Sequence, residues 1–258
     1  MNFSLKKGIS GSTIKLVALV TMLIDHTGAV VVLQMIRSLG GTTSMTVEAY
    51  NAFMTDYSWL VTLYDVMRLV GRLAFPLFCF LLVEGFLHTR HLFAYGRNLA
   101  VFALISDPCF DLALSGTPLD FSAQNVFFTL FLGLLTLCVL RLIEQRFPSM
   151  AASLAWALKL AAVACGCLAA QLLRTDYGAA GVLCISLMYL FRAHRTLAFS
   201  AGCIPLVFLS SSQYFSFLGL PLIYGYNGKR GLAMKYVFYI FYPAHLLLLS
   251  AVCRFLVN

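Results

Sequence analysis

Charged residues are scarce in this chain: they fill 11% of its 258 positions, against 61% that are apolar. Soluble domains carry about 25% charged and 45–50% apolar residues. The shortage of charge and a mean hydropathy of +0.88 exclude most soluble folds and imply that the main solvent is lipid. Cysteine motifs are missing as well. The eight cysteines lie in or at the ends of apolar runs, with no C-x-x-C pair and no histidine at zinc-finger spacing. That pattern speaks against a metal centre or a disulfide framework and for buried thiols. Lys and Arg number 18 against 10 Asp and Glu, yet no basic run is long enough to follow a phosphate backbone, so nucleic acid is not an expected partner. No low-complexity linker, internal repeat or soluble stretch interrupts the chain, and residues 1–258 read as one transmembrane domain. Lys6 and Lys7 before an apolar stretch have the outline of a signal peptide. However, Asp25 and His26 sit inside that stretch and no small-x-small cleavage site follows, so it reads as a retained first helix.

What the chain does have is a succession of apolar runs, at 13–35, 59–86, 94–115, 125–143, 151–173, 178–191, 197–211, 213–226 and 235–256. They predict an all-α, polytopic helical bundle of about nine spans. The sixth to eighth are shorter than the roughly 17–25 residues a span needs; they are expected to be buried in protein or to form a re-entrant pair. Counting basic residues in alternate loops places eleven on the side of the N-terminus and three on the other, with four inside spans. The positive-inside rule then predicts a cytoplasmic N-terminus and an external C-terminus.

Several charges fall inside the predicted spans. Lys159 and Glu84 lie close enough to an end to snorkel. Asp25, Asp65, Arg68 and Arg72 lie deeper, and at about 2.5–3.5 kcal/mol each, unpaired, they would cost on the order of 10 kcal/mol. Two are negative and two positive, so a salt-bridge cluster that locks helices together is one reading and a functional site is the other. Lys15 and His26 are eleven residues apart, which on a helix brings them to within roughly 20° of one face and about 16–17 Å apart along the axis. Asp25 points about 100° away from His26, so it is expected to partner Arg72 instead. Tyr242 and His245 stand at i, i+3 in the last span beside Pro243, which bends or loosens a helix. The loop Tyr226-Asn227-Gly228-Lys229-Arg230-Gly231 is basic and glycine-bearing. It reads either as an ordinary cytoplasmic loop or as a phosphate site in which backbone N–H groups and two cations meet an anion. Asp107, Asp111, Gln124, Asn125 and Asp176-Tyr177-Gly178 gather at predicted outer ends, where capping and loop solvation account for most of them.

At these residues the chain resembles the TraX family, named for the membrane protein that acetylates conjugative F-pilin. The resemblance runs through Ile14-Lys15-Leu16 to Asp25-His26, Gly71-Arg72-Leu73-Ala74-Phe75-Pro76, Val83-Glu84-Gly85-Phe86, Asn125-Val126-Phe127-Phe128, Asp176-Tyr177-Gly178, Asn227–Gly231 and Phe241-Tyr242-Pro243-Ala244-His245. It covers nearly the whole chain. TraX-like proteins are grouped with transmembrane acyltransferases that carry an arginine, ten residues and a histidine on an early helix; here the spacing is kept with Lys15 in place of the arginine. Lys binds phosphate as a point charge and not as a fork.

The resemblance implies a multi-pass enzyme of the bacterial cytoplasmic membrane that moves an acetyl group from cytoplasmic acetyl-CoA to an envelope acceptor, a pilin-like amine or a lipid-linked glycan. Lys15 and Asn227, Gly228, Lys229 and Arg230 would hold the CoA phosphates, with no metal. His26 would act as base or transient acyl carrier, Arg72 and Arg68 would stabilise the oxyanion, Asp25 and Asp65 would orient them, and Tyr242 and His245 would complete the site. Two other readings compete: a proton-coupled transporter using Asp25, His26, Asp65 and Arg72 as a relay, and a non-catalytic assembly factor.

Overall fold

The computed structural model describes every residue except 1–7, 43, 149, 233–234 and 258. Lys6 and Lys7, counted above with the cytoplasmic set, therefore lie outside the described residues. Among the described residues the chain is all-helical, apart from two isolated bridges, Ile9 with Tyr226 and Gln124 with Thr175.

The first long helix is α1 (Gly11–Thr27), which passes through one wide π-turn (Gly28–Val32) into α2 (Leu33–Ser38). Ser10 starts it by accepting the Thr13 N–H at 3.2 Å. The chain returns through α3 (Val47–Gly71) and α4 (Ala74–His88), separated by a short break at Arg72-Leu73. Pro76 stands in the first turn of α4, where an N–H has no partner within the helix. Next come α5 (Leu92–Leu114), α6 (Val126–Arg146), α7 (Ala152–Leu172) and α8 (Gly178–Leu190). Then α9 (Arg195–Val207), a 3-10 segment (Ser211–Gly219) and α10 (Leu220–Tyr224) lead to α11 (Lys235–Val257).

Helices thus occupy all nine expected stretches; among the described residues five stretches are long and apolar enough to cross a membrane: Gly11–Ser38, Val47–His88, Val126–Arg146, Ala152–Leu172 and Tyr236–Leu256. The 23-residue α5 carries Arg97, Asp107 and Asp111, and α8 and α9 have 13 residues each. The excursion from Arg195 turns over in the 3-10 segment and comes back to Tyr226, where Ile9 N–H donates to the Gly225 carbonyl at 2.8 Å and Asn227 N–H to the Ile9 carbonyl at 3.0 Å. It leaves from and returns to one end of the bundle, as a re-entrant pair does.

The core is a single large cluster in which Leu77, Phe86, Leu99, Phe127, Leu134, Leu137, Tyr189, Tyr242 and Leu246 from five helices are buried. A satellite of Val32, Ile36, Phe53 and Leu60 closes the α2–α3 hairpin. On α7 only Val163 and Ala170 are buried, while Leu154, Trp156, Leu160, Leu168 and Leu172 face outward, as a helix on the lipid side of a bundle requires. Glu144 joins α6 to its neighbours, accepting from Lys159 at 2.9 Å, Arg192 at 2.8 Å and Tyr189 at 2.9 Å.

Candidate functional site

His26 and His245, 219 residues apart, meet in the middle of the bundle, with His26 Nδ1 2.6 Å from His245 Nε2. Their rings stack at 4.9 Å between centroids. The bonding pattern assigns the tautomers. His245 Nδ1 is 2.7 Å from the Phe241 carbonyl, which only accepts, so that nitrogen carries hydrogen. With both rings neutral, His245 Nε2 is then an acceptor, His26 Nδ1–H donates to it, and His26 Nε2 keeps its lone pair. A neutral imidazole held by its other nitrogen is the arrangement a general base needs. Beside the pair lies Tyr242, whose ring centroid is 6.0 Å from that of His26 and 5.6 Å from that of His245. Its hydroxyl is buried with no hydrogen-bond partner among the described residues.

On the adjoining residue, Asp25 Oδ2 accepts from Arg68 Nη1 at 2.7 Å. The expected partner was Arg72, and this is corrected: Arg68 in the last turn of α3 takes the carboxylate, while Arg72, the C-cap, sits where the turn tightens, its N–H donating to the Leu69 carbonyl three residues back at 3.1 Å. Arg72 gives its carbonyl to Ser216 at 3.3 Å and buries its Nε without a partner. Asp65 is also corrected. It is exposed and takes part in none of the ion pairs among the described residues, because it lies about 140° round α3 from buried Leu60. Neither arginine is oriented by it, and the four-residue relay loses one member.

Asp176, in the Asp176-Tyr177-Gly178 motif for which capping or loop solvation was the expected role, instead feels the charges of this cluster from the α7–α8 loop. The loop is pinned twice: Asp176 N–H donates to the Gln124 carbonyl at 2.7 Å, and the Thr129 hydroxyl donates to the Asp176 carbonyl. Arg174 and Tyr177 adopt φ of 52° and 62°, an uncommon and strained region for residues with a Cβ. Tyr177 stacks on Phe75 at 3.7 Å.

Burial pushes the Asp176 carboxyl up to about 6, with the negative charge of Asp25 adding to the effect and Arg68 and Arg72 opposing it. Between its ordinary 3.8 and about 6 the folded state holds more protons than the unfolded one, so stability falls as pH rises through that window. Asp176→Asn is expected to remove the slope and to raise stability at pH 7.5 by at most about 3 kcal/mol. Thermal unfolding in detergent at pH 5 and pH 7.5 reads this directly; an unchanged difference between the two pH values removes Asp176 from the account.

Asn125 caps α6, Asp107 holds it in place, and Asp111 ties down the loop that follows α5. Asn125 accepts the Phe127 N–H at 3.0 Å and donates to Asp107 at 2.8 Å, while Asp111 accepts the Asp120 N–H at 2.8 Å.

At the end of the bundle where Tyr226 meets Ile9, a cavity of about 660 Å³ opens among α1, α4, α5, α11 and the 225–232 loop. Lys15, Arg90, His91 and Arg230 line it, with Glu84 and Tyr226 opposite. Phe78, at its deep end, is ten residues along α4 from His88, so the cavity runs about 15 Å inward. Lys15 Nζ lies 5.6 Å from the Phe238 ring centroid there.

Gly228 and Arg230 line the cavity; Asn227 and Lys229 do not. Asn227 is used up in the turn, donating to the Gly8 carbonyl and accepting the Lys229 N–H, both at 2.9 Å. The carbonyls of Lys229 and Arg230 accept the Gly11 and Ser12 N–H groups at 2.8 and 2.9 Å. The loop therefore caps α1, and Gly228 and Gly231, at φ of 75° and 70°, let it turn tightly enough to do so. The α4–α5 loop, His88 to His91, is a second contributor to the mouth that the sequence reading passed over; its clustered His-Thr-Arg-His was the available signal.

Over residues 10–253 the chain matches the family model described as TraX protein. It is similar to a probable fimbrial assembly protein FimC, serogroup H1, of Dichelobacter nodosus, with 29% identity over 273 residues that cover 96% of this chain and 97% of the relative. No solved structure matches it.

Proposed function

The chain belongs to the TraX family, and from that premise we propose that it is a membrane-embedded acetyltransferase drawing on cytoplasmic acetyl-CoA. The reading rests on one observation above all: an imidazole with a free nitrogen, held by a second imidazole, stands above a cavity whose mouth is lined with cations.

The basic end faces the cytoplasm by the positive-inside rule. There Arg230 and Arg90 hold the outer phosphates of the donor, each as a charge-assisted contact, and Lys15, farther in beside Phe238, meets the innermost one. The apolar shaft above takes the pantetheine arm toward His26, eleven residues and about 16–17 Å along α1 from Lys15. In the transfer step the acceptor N–H or O–H gives its proton to His26 Nε2 as its lone pair adds to the thioester carbonyl. Arg68, whose charge reaches the ring, and Arg72 stabilise the oxyanion. Collapse breaks the C–S bond, and the thiolate takes the proton back from His26, leaving free CoA and the acetylated acceptor. His245 steadies the imidazolium through the Nδ1 bond. A fimbrial relative favours a pilin-like subunit over a lipid-linked glycan as acceptor.

Purified protein given acetyl-CoA and a pilin-like peptide should release CoA only when the peptide is present. Lys15→Ala and Arg230→Ala should each raise the KM for acetyl-CoA about 5- to 10-fold with kcat within about twofold, the signature of contacts made equally in ground and transition states. Failure to bind CoA at all sinks the reading and favours the carrier.

A further inference from the structure

The residues lining the cavity do not include His26, Tyr242 or His245. Between the cavity and the imidazoles runs a chain of ring contacts. Phe238 closes the cavity's deep end and lies 5.3 Å from Phe127; Phe127 lies 5.0 Å from Tyr242; Tyr242 lies 6.0 Å from His26. Phe127 is the hub of this layer. It is fully buried and also touches Phe102 and Tyr239.

The two sides of the layer differ in how firmly they are held. Phe127 belongs to the first turn of α6, which Asn125 ties down through bonds to Asp107 and to the Ala103 carbonyl at 2.8 Å each. Phe238 and Tyr239 belong to the stretch of α11 before Pro243. Pro243 has no N–H to give the Tyr239 carbonyl, so the helix lacks one rung between the ring layer and His245. A helix missing a rung bends there. The layer thus has one leaf on α6, tied down by Asn125, and one on a segment of α11 that packs against Phe78 and Phe102 but is joined to His245 across a missing rung.

We infer that Phe127 sets the size of the acyl group that reaches His26: when α11 tilts at Pro243, the gap between Phe127 and Phe238 passes a two-carbon acyl chain and stops longer ones. The chemistry of this inference rests on the acetyltransferase reading; its geometry does not. A tight apolar passage discriminates by about tenfold or more per methylene, and a phenyl ring fixed on one side gives it that tightness.

The test uses the full chain in detergent with acetyl-, butyryl- and hexanoyl-CoA. The wild type should favour acetyl over hexanoyl by at least about 100-fold in kcat/KM, and Phe127→Ala should cut that ratio at least about tenfold by gaining hexanoyl transfer. An active variant with the wild-type ratio overturns the inference. Should the alanine variant fail to fold, Phe127→Leu or Phe238→Leu carries the same comparison. A second readout does not depend on transfer. In a His26→Cys background, labelling of that cysteine by a small methanethiosulfonate, mapped by mass spectrometry, should quicken at least about tenfold when Phe127→Ala is added; an unchanged rate overturns the inference. Faster labelling in a protein whose wild type transfers no acyl group from any thioester leaves the passage standing and the acetyltransferase reading refuted.

Discussion

Replacing His26 with alanine is expected to lower acetyl transfer by at least about 10²-fold, the scale of a positioned general base, while the bundle stays folded. His26 is half-buried and its side chain bonds to a single partner, His245, so truncation leaves no unpaired charge. The neighbouring residue sharpens the test. His245 serves as an acceptor for His26 Nδ1–H, a role a glutamine carbonyl can fill and a leucine cannot. His245→Gln should therefore keep several-fold more activity than His245→Leu, since a His26 that loses its acceptor is free to turn or to hold its proton on the wrong nitrogen. Single-turnover transfer and the unfolding midpoint, measured on all three variants, separate chemistry from folding. Undiminished turnover in His26→Ala removes the imidazole from the reaction.

Gly71→Ala should produce the largest loss of stability from the smallest added group, about 3 kcal/mol. A methyl on Gly71 would overlap the Asp25 carboxyl and its Cβ, so α1 and α3 must separate or Asp25 must swing out of its bond to Arg68. Overpacking alone costs about 1–3 kcal/mol, and a partly buried carboxylate parted from its arginine adds to that. Asp25 and Arg68 are 16% and 26% exposed, which keeps the ionic share below that of a fully buried pair. The unfolding midpoint in detergent measures the loss; a midpoint within a degree or two of wild type shows that the contact is slack. Asp25→Ala in the same background should recover only part of the stability, because the carboxyl is then gone while the Cβ that also overlaps remains.

Much of the helix layout was legible because lipid demands long apolar runs, and those runs are hard to hide. By hydropathy the second run begins at 59, whereas α3 begins at Val47. Glu48, Asn51, Thr55 and Asp56 dilute the hydropathy there, yet Phe53 still packs with Val32 and Ile36. The site was legible only in part. Lys15, His26, Tyr242 and His245 could be placed by helical phase within their own segments, but phase cannot tell which helices face each other, so the His26–His245 bond was out of reach. The break after Gly71 defeated the expected Asp25–Arg72 pair, since the backbone tightens there to bonds three residues back, Arg72 to Leu69 and Leu73 to Val70, and no residue type in that stretch marks the change. Asp176 escaped because its position depends on a loop held by Gln124 and Thr129, both distant in sequence.

The wide turn at Gly28–Val32 divides the first transmembrane segment into two lengths whose faces are out of step. The lower length, Lys15 to His26, answers to the cavity, to α11 and, through Asp25, to Arg68 and Gly71 at the end of α3. The upper length answers to α3 and to Leu249, against which Val30 and Val31 pack. The π-turn takes up one residue more than an α-turn for about the same rotation, so winding all of its residues as α-helix would spin the upper length about 100° and carry Val32 and Ile36 off Phe53, whereas removing one residue would leave both faces where they are. The surplus residue acts as a clutch between two interfaces: either can be resized by mutation without dragging the other round, provided the turn stays wide.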